Sequence, residues 1–196
     1  MAILMMLDLD GATVEQYKQV NESMGIRGDD DAPDGLVSHV CAVTDGGLII
    51  ADVWESQEAL DRFFESRLAG ALQEAGVQQG QPRIWPVHNT IAQGAGTEAG
   101  VLMIIESDGF TPDLYGRLTA RMPAHSGDGS EHPAVSHVAA VTDEGGMVFV
   151  DVWDSPESFG RFAEEALAPA GEGLDMPALE PRFSPIHNRL RCTARV

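Results

Sequence analysis

The chain has 196 residues, room for one large domain or two small ones. Acidic residues outnumber basic ones 31 to 12, and the formal charge of −19 argues against nucleic-acid and anionic-membrane partners, which both demand basic patches. Its two cysteines, Cys41 and Cys192, fall at non-matching places in the two halves and make neither a disulfide framework nor a CxxC site.

The N-terminal run from Met1 lacks a basic segment and meets acid at Asp8, so it reads as a strand rather than a signal peptide. No apolar run is long enough to span a bilayer, and a cytoplasmic protein is expected. Residues 3 to 91 align with 101 to 190 at an offset of 98, rising to 99 after a central hairpin. Each copy opens with an apolar strand (Ile3 to Leu7; Val101 to Ile105) and an Asp-Gly turn. A helix follows: Thr13 with Gln16 makes a capping box, and Thr111 is followed by Pro112 at the first helical position. Tyr17 and Tyr115 share the apolar spacing of these helices, as core residues or with hydroxyls reaching a pocket. Irregular acidic stretches come next, Gly25 to Gly35 and Pro123 to Pro133.

The central hairpins run from Ser38 to Trp54 and from Ser136 to Trp153. Counting back from a two-residue Asp45-Gly46 loop places His39 opposite Asp52. Counting back from the longer loop Asp143-Glu144-Gly145 places His137 opposite Asp151, so the pair survives a change in loop length. Alternation puts His39, Cys41, Val43, Leu48, Ile50, Asp52 and Trp54 on one face. Val40, Ala42, Ile49, Ala51 and Val53 form the other, a small-residue surface suited to receiving a helix. An imidazole and a carboxylate on a mostly apolar face have the composition of a ligand pocket. Ser56 and Ser155 cap a second helix, with apolar faces Leu60, Phe63, Phe64, Leu68 and Phe159, Phe162, Ala166, Leu167. Final strands (Arg83 to Asn89; Arg182 to Leu190) complete two β-α-β-β-α-β units, residues 1–91 and 101–196, joined by a small-residue linker at 92–100.

The stretches from Asp52 to Phe63 and from Asp151 to Phe162, a strand, a Trp-acid-Ser turn and an aromatic helix, resemble the dimeric α/β-barrel superfamily. The closest resemblance is to antibiotic-biosynthesis-monooxygenase-type domains fused in tandem. It implies an α+β fold of two ferredoxin-like units closing an intramolecular barrel, the chain standing as a monomer or a homodimer. The family's exchange of last strands would bring His88 toward His137 and His187 toward His39; Pro86 and Pro185 leave the direction of His88 and His187 open. The His–Asp pairs should then point into the barrel, and a histidine on the helix-packed face would remove the case for an active site in that copy.

The expected activity is that of a cofactor-independent oxygenase, or a cyclase or isomerase, on a small aromatic or polyketide-like molecule. His39, Asp52, His137 and Asp151 would be the acid–base residues. Trp54, Trp153, His88, His187, Tyr17 and Tyr115 are candidate substrate contacts, the tryptophans equally well ordinary core. A non-catalytic binding protein for such a hydrophobic ligand is the alternative. No metal or cofactor is expected: His39, Asp52 and an opposing histidine lack a diagnostic ligand spacing. The haem-degrading branch carries a helical histidine where this chain has Phe64 and Ala163.

Overall fold

The structure is a computed structural model in which residues 1–78, 80–91, 98–122 and 132–191 are described. Most of the linker at 92–100, most of the stretch at 123–133, and Cys192 lie outside the described residues. The first repeat consists of β1 (Ile3–Asp10), α1 (Val14–Met24), β2 (Leu36–Thr44), β3 (Gly47–Trp54), α2 (Gln57–Phe63), α3 (Ala69–Glu74) and β4 (Arg83–Ile91). The second consists of β5 (Val101–Ser107), α4 (Pro112–Thr119), β6 (Ser136–Val141), β7 (Met147–Trp153), α5 (Pro156–Phe162), α6 (Ala168–Gly171) and β8 (Arg182–Arg191). The strands hydrogen-bond in the order β1-β3-β2-β8-β5-β7-β6-β4, that of a closed barrel, and the α+β class is as the sequence implies.

Local chemistry sets the elements. The Thr13–Gln16 capping box is formed, and Gly25 closes α1 in the left-handed region at φ 71°. Thr111, Ser56 and Ser155 accept from the backbone of the helices they precede. Both hairpins have the expected register, with His39 opposite Asp52 and His137 opposite Asp151. At the first turn a Cβ on Gly47 would stand 2.2 Å from the Leu9 carbonyl oxygen, so the close approach of β1 requires glycine there.

The compact units differ from the sequence repeats by the exchange of last strands. One unit is Met1–Ile84 with Ile186–Val196, the other Trp85–Pro185. In the first, the Ile186–Arg191 part of β8 pairs with β2; in the second, the Val87–Ile91 part of β4 pairs with β6.

The face assignment from alternation is correct, but its surroundings are the reverse of those expected. In the first unit α1 and α2 pack on the His39 face: Tyr17, Ala59 and Leu60 share one core with Met5, Cys41, Ile50 and Trp54. In the second, Leu114, Tyr115 and Leu118 of α4 pack with Met103, Ala139, Phe149 and Trp153. Val40, Ala42, Ile49, Ala51 and Val53 are buried on the opposite face. Residue size misled here: small side chains were taken to receive a helix, whereas the helices dock on the face of larger residues and bury more apolar area there.

Between α2 and α3, and again between α5 and α6, the helix passes through a π-helical turn, Phe64–Leu68 and Ala163–Leu167. A π turn breaks the 3.6-residue phase, and Phe64, expected on the apolar face, is 37% exposed.

Candidate active site

Each unit carries the same chain of four side chains, brought together by three local devices. The hairpin register sets histidine beside aspartate. In each unit the tyrosine lies four residues after the helix-capping threonine (Thr13 to Tyr17; Thr111 to Tyr115), one turn along the helix. Third, a β-bulge follows the proline of the last strand. Ile186 pairs with Ala42 and Asn188 with Cys41, so His187 is the extra residue; Val87 pairs with Ala140 and Asn89 with Ala139, so His88 is. The bulge re-aims the asparagine at the tyrosine.

In the first unit His39 Nδ1 is 2.7 Å from Asp52 Oδ1, Tyr17 Oη is 2.7 Å from His39 Nε2, and Asn188 Nδ2 donates to Tyr17 Oη at 2.8 Å. In the second, His137 to Asp151 is 2.8 Å, Tyr115 to His137 is 3.0 Å, and Asn89 donates to Tyr115 at 2.8 Å. The tyrosine and histidine rings lie nearly parallel, at 8° and 7°. A carboxylate only accepts, so Nδ1 of a neutral imidazole carries the proton and Nε2 is left to accept. The tyrosine hydroxyl therefore donates to Nε2 while accepting from the asparagine, and in the first unit Asn21 is a second hydrogen-bond partner of the Tyr17 hydroxyl.

The histidine and aspartate side chains are 13% and 8% exposed in the first unit and 6% each in the second. Burial pushes the hydroxyls of both tyrosines up to about 12, against the opposing pull of the asparagine bond, so each is a proton donor at neutral pH. Burial likewise pushes the Cys41 thiol up to about 12, which makes it a core residue and not a nucleophile.

Both histidines are thus on the helix-packed face, contrary to the expectation that they point into the barrel. By the criterion stated from the sequence, this removes the case for a site inside the barrel, but the helices do not fill the face. They leave cavities beside the pairs. One of about 90 Å³ is lined by Tyr17, His39 and Asp52 with Asn21, Met24 and Leu72. One of about 50 Å³ is lined by Tyr115, His137 and Asp151 with Phe149, Phe162 and His132. The pairs line these cavities on the helix-packed face, and the candidate site rests on that observation.

The other candidates divide. Trp54 and Trp153 are fully buried core, packed on Phe63 and on Phe159 and Phe162, and neither is among the residues lining the two cavities. His187 and His88 touch Tyr17 and Tyr115 edge-on from behind, with centroids 5.6 and 5.5 Å apart, and do not line them either. Arg83 and Arg182 pair with Asp8 and Glu106. Asn188 and Asn89 were missed as site residues, although the His-Asn dipeptide kept in both copies after proline was the available signal. His132 was missed as well. It is 1% exposed, its ring stands 5.3 Å from that of His137, and the position matching it in the first repeat is Asp34. Among the described residues no group of three or more His, Cys, Asp or Glu is placed to hold a metal, and no helix is long and apolar enough to cross a membrane.

No protein-family model matches the chain, and no curated sequence shows significant similarity to it. Solved structures do. A "putative monooxygenase" from Lactobacillus acidophilus superposes with a TM-score of 0.71 at 11% identity, over 97% of this chain and 95% of that one. A second, from Fusobacterium nucleatum, gives 0.70 at 8% identity over 97% and 94%. A ferredoxin-fold protein of Listeria monocytogenes, described as related to antibiotic biosynthesis monooxygenases, gives 0.52 at 10% identity over 96% and 95%. The chain has their fold. It is the barrel fold that the Asp-Val-Trp stretches implied, and at these identities the likeness speaks for fold alone.

Proposed function

We propose that the Asn–Tyr–His–Asp chain is an acid–base site and that the protein is a cofactor-independent enzyme of monooxygenase-like or cyclase and isomerase type. Its substrate would be a small aromatic or enolisable molecule. The observation that supports this most is repetition: four side chains on four separate elements meet in the same order twice, each time against a cavity. The step common to these reactions is removal of a proton from an acidified carbon or phenol. The tyrosine oxygen takes the substrate's proton, giving up an asparagine contact, as the tyrosine's own proton moves to Nε2, and the aspartate stabilises the resulting imidazolium. The tyrosine, held protonated, is a conduit and not a free-standing base.

One observation favours a second reading, a protein that binds such a ligand without turning it over. Every nitrogen of the histidines already has a partner, and the cavities of about 90 and 50 Å³ are small beside ligand sites of roughly 300–1,000 Å³. The experiment is deuterium uptake at the acidic carbon of 2-tetralone, followed by NMR, with dioxygen consumption measured in parallel. Exchange accelerated by the protein and lost in His39→Ala and His137→Ala supports the enzyme. Saturable binding without exchange supports the binding protein, and neither binding nor exchange defeats both.

A further inference from the structure

We infer that the first unit takes a ligand of useful size, with its hydroxyl end in the cavity of Tyr17 and His39 and its apolar body in an adjoining chamber. The hydroxyl-end assignment rests on the function proposed above; the chamber does not. A cavity of about 350 Å³ lies between β1 and the segment from α2 to α3, with Leu60, Phe64, Pro82 and Ile84 in its walls. It shares Met5, Leu7, Leu68 and Leu72 with the His39 cavity, so these side chains form a common wall of the two spaces. The volume, unlike that of the His39 cavity, reaches the range of small-molecule sites, roughly 300–1,000 Å³.

The π turn shapes this arrangement. It ends at Leu68, which lines both spaces, and begins at Phe64, an exposed aromatic in the chamber wall. Rare π turns are frequent at functional positions because they reorient the side chains that follow. The polar lining consists of Gln57, Asp61 and Glu65, with no basic residue. Two carboxylates and no cation disfavour a carboxylate or phosphate ligand. The chemical class is therefore a neutral molecule with one hydroxyl or phenol and an elongated apolar body.

In the second unit larger side chains stand at the equivalent positions, and its own cavity of about 630 Å³ lies elsewhere, against Ala163, Leu167, Leu174 and Met176. Phe159, Phe183 and Leu179 stand at the positions matching Leu60, Ile84 and Gly80. The rings of Phe159 and Phe183 are 5.8 Å apart, and both pack, with Leu179, against the apolar core of that unit. The side chains of the second repeat thus supply a recipe for closing the chamber of the first.

The test is calorimetric binding of phenol and of 4-pentylphenol to the full chain. A buried methylene is worth about fourfold in affinity, so even a partly buried pentyl chain should give a preference of about tenfold or more. Leu60→Phe with Ile84→Phe should bring that preference to within about twofold while phenol still binds. Leu68→Trp, at a partly exposed position, closes the same passage should the double variant fold poorly. Leu167→Trp, the counterpart in the second unit, should leave the preference intact. The inference is overturned if 4-pentylphenol does not bind, if the preference survives both closures, or if Leu167→Trp abolishes it. Tyr17→Phe separates the two claims. If it weakens neither ligand while the closures still remove the preference, the chamber stands and the acid–base site does not.

Discussion

Tyr17 and Tyr115 are the only tyrosines in the chain, so the spectrum of ionised tyrosine reports on the two proposed sites and nothing else. Burial raises both hydroxyls from 10.0 to about 12. The sign follows from linkage. The fold favours the neutral phenol, so the stabilisation is complete below pH 10 and is lost as pH rises from 10 to about 12. Two pH units correspond to on the order of 3 kcal/mol for each tyrosine. Against a domain stability of roughly 5–15 kcal/mol, losing both contributions is enough to drive alkaline unfolding. The assay is a spectrophotometric titration with circular dichroism recorded on the same samples. The native protein should show almost no tyrosinate at pH 10, where the urea-unfolded chain is half ionised, and its tyrosinate should appear together with loss of structure. Asn188→Leu removes the stronger of the two asparagine bonds, from Asn188 and Asn21, that oppose the shift and should move Tyr17 further up. A full equivalent of tyrosinate appearing below pH 10 with the circular dichroism unchanged would refute the buried, donor-only tyrosine.

Asp52→Asn and Asp151→Asn each break a buried pair, and a loss of about 3–5 kcal/mol in denaturant unfolding marks a mainly structural role. If the pair works as base and orienter, deuterium exchange should fall far more than stability does. Gly47→Ala forces a Cβ onto the Leu9 carbonyl and should cost about 1–3 kcal/mol, whereas Gly46→Ala, whose nearest neighbour is 4.0 Å away, should be nearly neutral in the same thermal melts. Cys41, fully buried with its thiol pushed up to about 12, should resist iodoacetamide in the native protein and react after denaturation, as peptide mapping would show.

The duplicated fold was legible in the chain because its signals are local. Capping residues at Thr13, Thr111, Ser56 and Ser155, glycine turns and β-branched alternation each act within a few residues. Two copies of each signal removed most of the ambiguity. The His39–Asp52 and His137–Asp151 contacts were legible for the same reason, since a hairpin turn fixes the partner of every residue behind it.

What lay beyond the sequence depends on how the elements dock. Alternation separates the two faces of a strand without saying which one the helices cover, and side-chain size pointed to the wrong one. Tyr17 meets His39 only because α1 packs on that face, and Asn188 meets Tyr17 only because β8 arrives from the other repeat with a bulge at His187. The bulge is set by strand pairing far away in sequence, which is why the His-Asn dipeptide does not itself tell that the asparagine, and not the histidine, bonds the tyrosine. The larger side chains at the matching positions of the second unit follow the same logic. Phe159, Phe183 and Leu179 read as ordinary core substitutions along the chain, and only packing shows that the positions they match in the first repeat surround an open space.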